Sequence, residues 1–166
     1  MQIDILYEDD RWEAAGLARL AERAAEATFL HLGLVPDEWE VSLLACDDAR
    51  IAVLNEDFRA KPTPTNVLSW PSEERAPDDP GAVPDLPDPG LDPELGDIAI
   101  AYDTCAREAA AAGKPMADHV THLIVHALLH LLGYDHQNDA DAETMEAAER
   151  SILKSLHIPD PYHEKV

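Results

Sequence analysis

Positive charge is what this 166-residue sequence has least of: 12 Lys and Arg stand against 34 Asp and Glu, a formal charge of −22 with the eight histidines taken as neutral. Non-specific adhesion to nucleic acid needs Lys or Arg to neutralise phosphates, so any route to RNA must run through a local basic groove. Cysteine is nearly absent. Cys46 and Cys105 are the only two, which excludes a disulfide scaffold and a multi-cysteine zinc knuckle and fits a reducing compartment. Long apolar runs are missing as well. The most apolar window, Leu123 to Leu132, is far short of a membrane span and carries two histidines. Met1 to Asp10 is acidic where a secretory leader is basic. The expectation is a cytoplasmic protein with no membrane attachment.

Apolar residues make up 46% of the chain, enough at one-domain length to bury a core without staples. Short strands are predicted at Ile3 to Leu6, Glu40 to Cys46, Val67 to Trp70 and Gly96 to Tyr102, the last with Ile98 and Ile100 on one face. Leu17, Leu20, Ala24 and Ala27 recur at helical spacing and predict a helix over 13–32. A second helix follows an Asp47 or Asp48 cap to about Phe58, with Ile51, Leu54 and Phe58 on one face. Asp103 caps a third through Ala112, Pro115 opens a fourth to Leu132, and a last helix covers roughly 139–156. Strands and helices are interspersed rather than alternating. This predicts a single compact α+β domain over 1–166, with one small mixed β-sheet packed by about five helices.

Residues 71–95 differ in kind. They hold seven of the 13 prolines and eight acids against Arg75 alone. Such a segment buries too little apolar surface to order itself, and a long mobile loop is expected.

Five of the eight histidines fall between 119 and 136: His119, His122, His126, His130 and His136. His126 and His130 are four apart, which on a helix means about 40° of rotation and ~6 Å of rise, so both rings can address one ion. Gly133 can take positive φ, end the helix and turn the chain back, and His136 follows three residues later. The string H-x3-H-x2-G-x2-H is the spacing of a three-histidine metal site. Three neutral nitrogens and one open position describe a catalytic zinc centre, one Zn²⁺ per chain, rather than a closed structural one. The opposing reading is a helix whose histidines are solvated or bonded in the core. His122 and His119 lie one and two turns upstream, as an extra ligand, an outer support or a substrate contact, and stay outside the metal set; Asp135 either orients a ligand histidine or is a loop-surface carboxylate.

That spacing is also the spacing of metzincin proteases. Those enzymes carry Glu directly after the first histidine as general base. Here the residue is Ala127, and a peptidase would lack its proton acceptor.

His126 to His136 resembles another pattern, H-G-x-L-H-L-x-G-Y-D-H, that of the YbeY endoribonucleases, and departs from it only at Ala127. Leu54 to Arg59, Pro64 to Pro71, Leu95 to Ile98 and Met145-Glu146 also match, in order, over about residues 40–156. Asn66 stands where Asp is common, and Pro62-Thr63 replaces an Asp-Lys pair. The resemblance implies a metal-dependent endoribonuclease of the bacterial cytoplasm, directed at single-stranded RNA. Its implied work is 3′-end maturation of small-subunit ribosomal RNA and ribosome quality control. Arg59, in the local cluster Arg50, Arg59 and Lys61, is the candidate to stabilise charge on the phosphate. Trp70, Trp12 and Trp39 are candidates to stack on a base, though core positions are the commoner use. A third possibility is a non-catalytic, zinc-stabilised module whose acidic face docks on basic ribosomal proteins. Oligomeric state is not legible.

Overall fold

The computed structural model describes residues 1–162. Four strands, β1 (Gln2–Tyr7), β2 (Glu40–Cys46), β3 (Val67–Pro71) and β4 (Glu94–Ala101), form one sheet in the order β1-β2-β4-β3. The first three neighbours run parallel, and β3 lies antiparallel to β4 at the edge. Six helices accompany them: α1 (Arg11–Ala14), α2 (Leu17–Leu32), α3 (Asp48–Arg59), α4 (Tyr102–Ala112), α5 (Met116–Leu131) and α6 (Asp139–Ser155). The fold is therefore the expected single α+β domain with a mixed sheet. Among the described residues no helix is long and apolar enough to cross a membrane.

Strand alternation divides the interior. On β4, Ile98 and Ile100 enter the larger core with α2 and α5, while Ala99 and Ala101 face α3 in a smaller cluster with Ile51, Leu68 and Cys46. The large core holds Trp12, Phe29 and Trp39, each essentially without exposure. Trp12 also donates its indole N–H to the Cys46 carbonyl at 2.9 Å, so neither Trp12 nor Trp39 is available to a base. Both cysteines are free and buried, and burial above all pushes the Cys46 thiol up to about 12.

Three local expectations change. The helix expected over 13–32 is two, because Gly16 adopts φ 74 and breaks the axis between α1 and α2. Asp103 does not cap α4. The cap position is Ala101, and the Asp103 carboxylate is taken instead by Arg11 Nη1 at 2.7 Å. Phe58 shares a face with Ile51 and Leu54 by spacing, yet it remains 64% exposed and packs edge-on against Trp70.

The segment between β3 and β4 has neither helix nor strand apart from its ends. What fastens it is polar. Arg75 donates through Nη1 to the Leu131 carbonyl at 2.8 Å and to that of Leu95 at 3.2 Å. Farther along, Gly81 N–H meets Asp141 at 2.7 Å and its carbonyl accepts from Thr144 at 2.7 Å. Counting only apolar burial leaves these ties out.

Candidate functional site

Helix α5 is buried nearly all round, so it sits between other elements rather than on the surface. From His119 to His130 the only residues not fully buried are His122, His126 and His130. That i, i+4, i+8 stripe is the one face of the helix that apolar neighbours leave open. It lines a cleft of about 390 Å³, closed on the other sides by the end of α3 and by β3. Arg59, Ser69 and His136 share its walls.

Each helical histidine of the motif has its Nδ1 engaged from behind. Ser69 on β3 points toward α5, and its Oγ lies 2.6 Å from Nδ1 of His130. His126 Nδ1 lies 3.1 Å from Oε1 of Glu149. An ionised carboxylate can only accept, so Nδ1 of His126 carries the proton and its lone pair resides on Nε2. No hydrogen bond to Nε2 of either ring is found among the described residues. Burial pulls the His130 pKa down; Asp135 opposes this, and the charges of His126, Arg59 and His136 add to it. A neutral ring with an available lone pair is what a metal requires.

The third histidine arrives as the Gly133 bend demands. Gly133 adopts φ 107, and a Cβ there would collide with the Arg75 carbonyl. Only glycine lets the chain turn against the loop and bring His136 back beside the helix. The His126 and His136 rings are stacked, centroids 5.5 Å apart at 29°. Stacked rings lie side by side rather than converging. Among the described residues no three His, Cys, Asp or Glu side chains are gathered tightly enough to hold a metal ion. The side chains present are nonetheless of a kind that holds a divalent metal, with two rings held from behind at Nδ1 and an exposed His136 whose ring makes no hydrogen bond among the described residues.

Two residues that sequence reasoning passed over complete the support. Glu149 lies on α6 with no exposure, and one of its oxygens meets His122 Nε2 at 2.9 Å as well as His126. Tyr162 donates its hydroxyl to both Glu149 oxygens, at 3.0 and 2.9 Å. Burial pushes the Glu149 carboxyl up, but the hydrogen bonds and charges of His122 and His126 prevail and hold it at about 2. The signal available was a Glu on the stripe of Met145, Ile152 and Leu153, where an unpaired charge has no place.

Other candidates fall elsewhere. His119 bonds Glu108 at 2.9 Å, and the Asn66 amide donates to the same oxygen at 2.9 Å. The Asn66 carbonyl oxygen accepts Val67 N–H at 2.6 Å, so both ends of its amide are engaged by the protein. Asp135 accepts the backbone N–H of His136 at 2.8 Å, bracing the bend rather than a ring. Trp70 follows Ser69 on β3 and so faces the other side of the sheet, against Phe58 and away from the histidines.

Comparison with known proteins agrees with the resemblance carried by the motif. The profile of the family described as Endoribonuclease YbeY matches residues 2–157. The chain is 63% identical over 163 residues to Endoribonuclease YbeY of Dinoroseobacter shibae, covering 96% of this chain and 90% of that one. It is 60% identical to the protein of that name from Jannaschia sp., with 98% and 100% covered, and 47% identical to that of Azorhizobium caulinodans, with 98% and 96% covered. A Thermotoga maritima protein solved in solution shares the fold at a TM-score of 0.56 and 21% identity, over 98% of this chain and 100% of that one.

Proposed function

Because the chain belongs to the YbeY endoribonuclease family, we propose that it hydrolyses phosphodiester bonds of single-stranded RNA with the aid of one zinc ion. His126, His130 and His136 would hold the metal. The observation that carries this reading is that both helical histidines have Nδ1 engaged from behind while their rings line the same cleft as Arg59.

Zinc bound there would polarise a phosphoryl oxygen and lower the pKa of water toward ~7, which is the chemistry that phosphodiester hydrolysis needs. The chain's own residues supply the rest. Glu149 fixes the His126 tautomer and Ser69 orients His130. Arg59 presents a planar guanidinium to the non-bridging oxygens and offsets charge that grows on them. Lys61 stands in the same cleft, so positive charge is concentrated where RNA must enter an otherwise acidic protein. The peptidase alternative has no support here, since Ala127 is fully buried and offers no carboxylate to the cleft.

The substrate we propose is precursor small-subunit ribosomal RNA, processed at its 3′ end in the bacterial cytoplasm, with a part in ribosome quality control and contacts to ribosomal proteins. Cleavage of a single-stranded precursor fragment by the purified protein, with chelator and then with zinc restored, tests it. Loss on chelation and recovery with zinc is the expected result. Full cleavage by metal-free protein overturns the metal assignment, and no cleavage under any metal condition overturns the activity.

A further inference from the structure

We propose that Tyr162 is a positioning residue for the candidate metal site, acting through Glu149 on His126. The proposal rests on reading His126 as a metal ligand.

Glu149 is a carboxylate with no solvent contact, and a buried charge keeps a fixed orientation only if its lone pairs are met by donors. Its Oε1 receives His122 at 2.9 Å and His126 at 3.1 Å. Its Oε2 receives only Tyr162, at 2.9 Å, among the described residues. Take the phenol hydroxyl away and one oxygen has no partner among the described residues. The carboxylate can then turn about its terminal torsion, which is broad, and draw Oε1 away from the His126 N–H.

The phenol is itself held. Past α6 the chain returns along the helix, and Tyr162 N–H bonds Asp160 at 2.8 Å. Asp160 is paired with Arg150 at 3.2 Å, and Arg150 lies 5.5 Å from the centre of the Tyr162 ring. The ring meets His122 edge-on at 5.5 Å and 90°. Adjacent residues of one helix thus do two jobs: Arg150 seats the tail, and Glu149 receives its hydroxyl. The order of action runs tail, carboxylate, imidazole, metal. Tyr162 also borders the cleft, so direct contact with RNA is the competing role.

Tyr162→Phe separates the two, because it keeps the ring and removes only the hydroxyl. Zinc affinity of the full chain is measured by competition with a colorimetric chelator, alongside KM for RNA at saturating zinc. The expected result is a loss of zinc affinity of about tenfold or more, the usual effect of removing an outer support, with KM unchanged. Glu149→Gln should weaken zinc at least as much, and adding Tyr162→Phe to it should cost nothing further. Unchanged zinc affinity in Tyr162→Phe, a raised KM at unchanged affinity, or additive losses in the double variant each overturn the proposal. A destabilised fold alone moves the melting point but not the affinity of the folded protein. His126→Ala marks the boundary: if it binds zinc as the wild type does, the metal-site reading fails and takes this proposal with it. If it loses zinc while Tyr162→Phe does not, only the role of Tyr162 fails.

Discussion

The Ser69 hydroxyl and Nδ1 of His130 meet at 2.6 Å across 61 residues of sequence. A strand and a helix are therefore registered to each other at one imidazole. Ser69→Ala removes the oxygen without disturbing the strand. Zinc affinity is expected to fall by about tenfold, and circular dichroism should remain that of the wild type. Chelator competition provides the check.

Metal binding and phosphate handling should separate by mutation. His130→Ala is expected to abolish zinc retention and RNA cleavage together while the fold persists. Arg59→Glu should reduce turnover on the order of a hundredfold or more, as loss of a charge-stabilising donor does, with zinc content unchanged by elemental analysis. Equal loss of zinc in both variants would refute the division of labour.

Gly133→Ala tests the bend. It forces a side chain into a positive-φ position and against the Arg75 carbonyl, and strained backbone of this kind costs on the order of 1–3 kcal/mol. The urea midpoint should drop accordingly. Protection of amides in 72–84 should drop with it, since that segment rests on the same turn through Arg75 and Leu131.

The pair Asp9 and Asp103 gives a pH dependence with a defined sign. Hydrogen bonding to Arg11 holds both carboxyls below the ordinary carboxylate range, against a smaller opposing effect of burial. A carboxyl depressed in the folded state adds stability above its unfolded pKa, about 4, and that contribution disappears as pH falls through the folded value. Arg11→Met is therefore expected to lower the melting point at pH 7 and to converge on the wild type in strong acid. A difference that stays constant with pH would show that Arg11 acts by packing against Tyr102 instead, where its guanidinium lies 4.4 Å from the ring centre.

The parts of the site legible in the sequence are those encoded locally. That His126 and His130 share a helix face, and that the helix stops by Gly133, follows from helical spacing and one glycine, and α5 with its bend shows both. Alternation along β4 is legible for the same reason. Glu149 and Tyr162 are not, because their partners lie 23 and 40 residues away on other elements; only tertiary packing places them. Asp103 misleads for a related reason: a capping residue type stands at the right offset, but Arg11, 92 residues distant, claims its oxygens. Trp70 shows the limit of composition, since an indole suited to stacking is turned to the opposite side of the sheet by its neighbour Ser69.

The adjacency of Ser69 and Trp70 makes β3 intolerant of misregistration. Sliding this edge strand by a single residue would drive an indole into the space beneath His130 and send the hydroxyl to the α3 side, inverting every side chain of the strand at once. A misthreaded edge would thus strip His130 of its Ser69 partner as well as pack badly, and correct assembly of the sheet becomes a precondition for the proposed metal site.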